Sequence, residues 1–404
     1  MSSSAIDVPT ARPSAATEFL IGLSSGPALG AKTPSGSDAW EEIASAGVDL
    51  LRYYPTWLST QQDLPTQIQL MKTNLAAAAA HSLRLWVGLH PAGNKLDDGN
   101  KRVLHAVVGS LKDEPGLGAW KGADEPEHGG IPAADLVPVY EYVKQLDPDH
   151  PLVLIQAPVC RGGVTLTAEA IAAYTPALDI TGIDIFPVSY PPGKHAARSN
   201  TDISVVGDVV SIVAQAAPGK PLWTAIQISW SGVTPPKNVP RFPTLREDRF
   251  MAYQAIIAGA TGLNFFGGDL RETMTPDDAK AGWNWTFWYD VVRPLVSELS
   301  STEVRQALDA PAAGSDVTAD AGDIQLTARE ADGYFYVIAV RTSPELTTEV
   351  TFSGLPAGIS SGQALFEYSL QEFRSVEAAN GAFKDWFGPF DSHVYRFPVA
   401  SSTQ

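Results

Sequence analysis

Eight short apolar runs, each followed by a segment of helical character, set the tightest limit on what this chain can fold into. The runs are "FLIGLS" (Phe19–Ser24), "VDLLRYYP" (Val48–Pro55), "LRLWVGLH" (Leu83–His90), "LGAWKGADEP" (Leu117–Pro126), "PLVLIQAP" (Pro151–Pro158), "ITGIDIFPV" (Ile180–Val188), "PLWTAIQISW" (Pro221–Trp230) and "GLNFFGGD" (Gly262–Asp269). They are apolar on both faces, as strands covered on both sides must be. The segments between them carry helical spacing. In "SDAWEEIASAG", Trp40, Ile43 and Ala46 fall on one face, with Asp or Ser as cap and Gly47 as stop. "PTQIQLMKTNLAAAAAHS" begins with Pro65 at a helix start. Eight strand–helix units predict a (β/α)8 barrel. A doubly wound open sheet is the rival architecture, and the missing glycine-rich phosphate loop weighs against it.

After about Ser300 the period changes. "IQLTARE", "YFYVIAVRT", "TEVTFSG", "QALFEYS", "GAFKDWF" and "SHVYRFP" read as strands without helices between them, with turns at Asp332-Gly333 and Asn380-Gly381. The expected organisation is a lead over residues 1–18, a barrel over 19–300 and a small all-β sandwich over 301–404. The length of 404 residues accommodates both domains.

The net charge of −17, with no Lys/Arg cluster, argues against nucleic acid and makes an anionic substrate less expected. No apolar run reaches membrane-spanning length. The single cysteine, Cys160, rules out an intramolecular disulfide framework. The Ser-, Ala- and Pro-rich start lacks the basic region and apolar core of a signal peptide, so cytoplasmic and secreted locations both stay open.

In a barrel of this kind the chemistry sits at the C-terminal ends of the strands. That rule picks out Arg52, Tyr54 and Trp57 after strand two, and His90 after strand three. It picks out Asp124, Glu125 and Glu127 at strand four, Asp184 at strand six, Gln227 and Trp230 at strand seven, and Asp269 at strand eight. Three acids at one strand end cost repulsion and desolvation, which marks them as candidates for function. Carboxylates facing each other across a cavity, with aromatic rings nearby, are what cleavage of a glycosidic bond needs. One protonates the leaving oxygen, and the other attacks or activates water.

On these residues the chain resembles a known family. "PGLGAWKGADEP" is similar to the fourth strand of clan A glycoside hydrolases, in which an acid/base glutamate precedes a proline. "LDPDHPLVL", "LDITGIDIFPV" and "REDRFMAYQAIIAGATGLNFFGG" resemble later segments of Asp-Glu-Pro-type members, and "FGPFDSHVYRF" their C-terminal β-sandwich. The resemblance implies that Glu125 is the general acid/base. Like-charge repulsion from Asp124 and Glu127 is then expected to raise its pKa. If the strand persists, Asp124 and Glu125 point to opposite sides.

The departure is at strand seven, where the clan places its nucleophile glutamate and this chain has Gln227. The second carboxylate must come from elsewhere: Asp184 first, Asp269 second, Glu127 third. Expected sugar contacts are Arg52, Tyr54, Trp57, His90, Asp124, Gln227, Trp230 and Asp269, and Arg52 serves equally well as partner to a barrel carboxylate. Trp283 and Trp285 are further stacking candidates, and Trp288 a core residue. Three other readings remain: a non-hydrolytic carbohydrate-binding barrel that lost its nucleophile at position 227, a transglycosylase, and a neighbouring-group hexosaminidase-like enzyme using Asp124 and Glu125. "GLSSG" matches a nucleophile elbow, but the helix that an elbow requires does not follow. The histidines lack metal-ligand spacing, and no metal or organic cofactor is implied. The expected partner is an oligosaccharide, polysaccharide or glycoside.

Overall fold

The computed structural model describes residues 18–57, 63–189, 196–227, 242–269, 271, 274–314, 316–367 and 373–399. Eight parallel strands close into a barrel: β1 (Leu20–Leu23), β2 (Leu50–Tyr53), β3 (Arg84–Gly88), β4 (Leu117–Asp124), β5 (Leu152–Gln156), β6 (Ile180–Ile185), β7 (Leu222–Gln227) and β8 (Gly262–Phe266). Each pairs with its sequence neighbours, and β1 pairs with β8. The helices between them cover the outside. The first, Ala39–Ala46, is capped by Asp38, which accepts from the Trp40 and Glu41 amides, and it stops at Gly47 with φ 110°. A Cβ at Gly47 would lie 2.1 Å from Ser300 Oγ on the last barrel helix, Arg293–Ser300, so only glycine lets these two helices meet.

The barrel floor is dry. Leu20, Leu50, Trp86, Ala119, Val153, Ile155, Ile180 and Trp223 form an interior cluster, with the two indoles edge to face at 5.4 Å. Above this floor, toward the C-terminal strand ends, the inward side chains turn polar.

One helix stands where the sequence reading expects only strands to follow. Thr302–Asp309 folds under the barrel, where Asp309 accepts from the Phe19 amide and Arg305 pairs with Asp49. Its Ser301 cap and buried Val304, Ala307 and Leu308 give it a helix signature of its own.

The second domain is an eight-stranded antiparallel sheet folded over on itself. Its strands are β9 (Thr318–Ala319), β10 (Ile324–Ala331), β11 (Tyr334–Arg341), β12 (Thr348–Ser353), β13 (Ser361–Leu365), β14 (Arg374–Ala379), β15 (Ala382–Phe387) and β16 (Ser392–Pro398). Both expected turns are present, with positive φ at Asp332, Gly333, Asn380 and Gly381. Phe335, Val337, Phe352, Phe383 and Phe397 lie in a core separate from that of the barrel. The other face of β11, through Tyr336, Ile338 and Val340, packs into the barrel's own apolar core.

A buried polar clamp fixes that contact. The helix Leu245–Ile257 presents Arg249, whose Nε donates to both Glu298 oxygens at 3.0 and 2.9 Å while Nη1 donates to the Ser392 carbonyl. Tyr253 donates to the same glutamate at 2.6 Å, and Phe250 meets Phe390 edge-on. Breaking such a pair leaves an enclosed charge without its partner. Glu298→Ala should therefore lower stability by about 3–5 kcal/mol, with an unchanged denaturant slope. Urea unfolding followed by fluorescence checks this, and a midpoint equal to wild type would remove the clamp from the account.

Candidate active site

The polar mouth of the barrel holds a cavity of about 350 Å3 whose walls include Arg52, Asp124, Glu125 and Asp184. How β4 supplies two acids to one cavity is a matter of backbone. Ala119 and Lys121 face inward in ordinary alternation. The pairing of β4 with β5 then shifts between Lys121 and Asp124, which changes the phase of the strand. Asp124 therefore also faces in. Glu125 follows with φ 44° and ψ 51°, a left-handed conformation that turns it to the same side. The expectation that Asp124 and Glu125 point apart is thus corrected, because the strand does not persist. The turn is held from both sides: the Glu125 amide donates to Ile155 O, and its carbonyl accepts from Gly129, each at 2.8 Å. Pro126 adds a bias, since the residue before a proline avoids the right-handed helical region.

Asp184, inward on β6, shares the cavity wall with Glu125, and the two carboxyls act on each other. Its Oδ1 is enclosed with no donor upon it among the described residues. Burial pushes the Asp184 carboxyl well above the ordinary range. The negative neighbours Glu125 and Asp124 add to this, and Lys121 only partly opposes them. A carboxyl lifted in this way holds its proton above the range in which an ordinary aspartate gives it up.

Lys121, absent from the sequence-derived site, completes the centre. It is fully buried, sits over the rings of Trp86 at 5.6 Å and Tyr54 at 5.5 Å, and pairs with Asp124. The pair is one-sided. Lys121 is enclosed and burial holds its pKa down, while the Asp124 side chain keeps 43% of its surface. Burial alone would raise Asp124, yet the Lys121 ammonium, with Arg52 and His90 behind it, brings its carboxyl below the usual value. Asp124 is neutralised by Lys121, Glu127 Oε2 turns away to accept from the Arg161 amide at 2.9 Å, and Asp184 across the cavity is lifted. A lone lysine inside an otherwise apolar strand was the available signal for this residue.

The remaining candidates divide. Arg52 is half-buried, its Nε donating to Ser24 O at 3.2 Å and its guanidinium near Tyr54 and Phe266. Tyr54 stacks on His90 at 5.6 Å, and burial followed by the Asp124 charge pushes its hydroxyl up to about 12. Asp269 is exposed and borders a neighbouring cavity of about 460 Å3 that it shares with Arg52. Gln227 is corrected from sugar contact to structural tie. It is 1% exposed, its Oε1 accepts from Val188 N at 2.7 Å, and its Nε2 donates to Val188 O at 2.9 Å. Trp57 is likewise corrected, being enclosed with Nε1 donating to Gly88 O at 2.7 Å. Trp283 and Trp285 join Trp288 in a buried aromatic cluster and offer no stacking face. Trp230 lies outside the described residues. In "GLSSG", Ser24 donates to Asn264 at 2.8 Å, and a loop follows until Ala39.

The described residues contain one set of metal-type donors, Glu367, Asp385 and His393 in the second domain. It does not have the character of an ion site. Arg374 Nη2 already bridges both carboxylates, Tyr395 donates to Asp385 at 2.7 Å, and His393 is hydrogen-bonded to Glu367.

Comparison with known proteins supports the architecture. No family model matches the chain, and no curated protein does. Solved structures do. A glycoside hydrolase matches with TM-score 0.63 at 15% identity, over 95% of this chain and 93% of its own. A family 5 glycoside hydrolase from Bacteroides vulgatus matches with TM-score 0.63 at 13% identity, over 95% and 89%. A family 30 endoxylanase from Clostridium papyrosolvens matches with TM-score 0.55 at 12% identity, over 95% and 97%. At these identities the likeness is one of fold, and it extends over barrel and β-domain together.

Two measurements test the site's energetics without reference to activity. A folded-state pKa raised above the unfolded value, about 3.9 for aspartate, means that stability present below that value is lost as pH rises through the folded pKa. Asp184→Asn removes that loss. Its advantage in urea midpoint over wild type should widen from pH 4 upward and level off once the folded pKa is passed; a gap independent of pH would contradict the lifted Asp184 carboxyl. At the strained turn, Glu125→Gly should exceed Glu125→Ala in stability by about 1 kcal/mol, because glycine accepts positive φ without cost. Equal stabilities in the same titration would show that the turn is not strained.

Proposed function

We propose that this protein is a glycoside hydrolase whose reaction is carried by the Glu125–Asp184 pair. The observation that supports it best is the placement of two carboxyls in one cavity at the mouth of a barrel, with Asp184 lifted by burial and by Glu125. Cleaving a glycosidic bond requires one carboxylic acid and one carboxylate in the same site. Two acids in unlike environments suit that division, because two ionised groups would lack the acid and two protonated ones the base.

In this reading the sugar enters between the two groups and parts them. The proton goes through Glu125 to the leaving oxygen as the bond to the anomeric carbon breaks, in the role the strand-four position implies. Asp184 is left as carboxylate, placed to attack that carbon or to take a proton from the attacking water. When water has added and product leaves, the site again holds one acid and one carboxylate, and the free state is restored. The separation imposed by the sugar sets the stereochemistry: about 5–5.5 Å for retention and 6.5–9.5 Å for inversion. Lys121 keeps Asp124 ionised and engaged, so that the mobile proton stays on the other two acids.

Gln227 does not hold the place of a lost nucleophile in this scheme. Its amide is spent on both backbone groups of Val188, and it thereby fixes the segment that follows Asp184. Gln227→Glu should create no new activity. It should lose the donor to Val188 O, bury a charge and destabilise the fold.

The test is turnover on a panel of oligosaccharides and aryl glycosides. Glu125→Gln and Asp184→Asn should each lower kcat by about 10²–10⁴-fold, the usual contribution of a positioned acid or base. Wild-type kcat should fall as pH rises past the point where the lifted Asp184 carboxyl loses its proton. Sugar binding with no turnover by wild type on any member would instead identify a non-hydrolytic carbohydrate-binding barrel. The anomer first released reports the stereochemistry, and transfer products would identify a transglycosylase.

A further inference from the structure

We propose that Arg52 is the anchor for a carboxylate on the substrate, so that the sugar bound beside the cleaved bond is a uronate. This inference rests on the glycosidase reading of the same cavity and adds the substrate's charge.

Arg52 stands at the end of β2, in the wall common to two cavities. One, of about 350 Å3, contains Glu125 and Asp184; the other, of about 460 Å3, opens toward Asp269. Ser24 is the second residue that both cavities share, and it anchors the arginine. The Ser24 carbonyl accepts from Arg52 Nε at 3.2 Å, its amide donates to Phe265 O at 2.8 Å, and its hydroxyl donates to Asn264 at 2.8 Å. Tyr54 and Phe266 stand 5.6 and 5.8 Å from the guanidinium carbon, so aromatic rings flank the cation. The stem and Nε are thus fixed, and among the described residues the two terminal nitrogens have no hydrogen-bond partner.

Among the described residues no carboxylate lies within ion-pair distance of Arg52. Several sheltered arginines have a carboxylate partner: Arg84 pairs with Glu18, Arg249 with Glu298, Arg341 with Asp323, and Arg374 with two acids. Arg198 and Arg329 end instead on backbone carbonyls and Arg396 on Gln363, so what distinguishes Arg52 is its place in an acid-lined cavity. Asp124, the cavity-wall acid whose carboxyl feels the Arg52 charge, is taken by Lys121.

The charges of the cavity support the same conclusion. Asp124 is offset by Lys121, and burial works against a charge on Asp184, so the cavity is less negative than its three acids suggest. A planar guanidinium with two free nitrogens binds a carboxylate through two parallel hydrogen bonds, stronger and more directional than a hydroxyl contact. The overall charge of −17 opposes an anionic ligand at long range, but beyond a Debye length of about 8 Å that opposition is screened, and the local fork decides.

The test uses the full chain carrying Glu125→Gln, which keeps the site shape and prevents turnover. Binding is measured by calorimetry for a panel of uronate-containing oligosaccharides, for the same compounds after reduction of the carboxyl to an alcohol, and for neutral oligosaccharides carrying a sulfate ester. The expected result is binding of the uronate forms at least about tenfold tighter than the reduced forms, the margin of a charge-assisted hydrogen bond. Adding Arg52→Gln should bring the two within about twofold, and Arg52→Lys should recover part of the difference. Thermal melts of each variant confirm that the fold is intact. The proposal is overturned if reduced and uronate forms bind alike, if Arg52→Gln weakens both equally, or if only the sulfated sugars depend on Arg52. Turnover of neutral sugars without uronate preference would end this inference and leave the hydrolase reading standing. Arg52-dependent uronate binding with no turnover by wild type would do the reverse.

Discussion

A closed eight-stranded barrel has to fill its own interior, and here two tryptophans do much of that work. Trp86 and Trp223 meet edge to face across the axis, with aliphatic side chains from six other positions around them. This plug divides the barrel into a lower half and a mouth. The acids of the mouth lie above it, and the buried Arg84 below it is held by Glu18, because an unpaired charge there would find neither water nor partner. Lys121 marks the boundary. Its ammonium lies over the upper side of Trp86 and reaches up to Asp124, so the first charged layer rests directly on the apolar floor.

The mouth is arranged as two couples of opposite logic. Lys121 and Asp124 neutralise each other by charge. Glu125 and Asp184, both acids, share a cavity wall in which burial works against a charge on Asp184. The second couple exists because β4 breaks its regular alternation twice, by a register shift and by a left-handed residue. Each irregularity carries a conformational cost that a strand built only for packing would avoid. Such strain concentrates where geometry is in service of chemistry, and its location at the only two consecutive acids among the barrel strand ends is consistent with the reading adopted for the site.

The β-domain has a different relation to the barrel. One face of β11 belongs to the sandwich core and the other to the barrel core, so a single strand serves two interiors. The Arg249–Glu298–Tyr253 clamp sits behind this contact, on the helix that follows β7 and on the last barrel helix. The two domains are therefore joined through the outer layer of the barrel, away from Glu125 and Asp184, and the sandwich buttresses the scaffold.

Period and strand-end position were legible in the sequence, because both are local. Apolar runs of strand length separated by helical segments specified the barrel, and turn pairs such as Asn380-Gly381 marked the β-domain. The rule that chemistry lies at strand ends selected Arg52, Asp124, Glu125 and Asp184, which the structure brings into one cavity. The same rule misplaced Gln227 and Trp57, which occupy equivalent sequence positions but spend their polar atoms on neighbouring backbone. It also passed over Lys121, because a lysine inside an apolar strand has meaning only once its partner is known. Which acids share a cavity, which is neutralised and which is lifted depended on Glu125 and Asp184 meeting from distant parts of the chain and on one backbone angle at Glu125. Sequence decides such features only through the closed barrel, where register and dihedral angle, not residue type, determine which charges share a low-dielectric space.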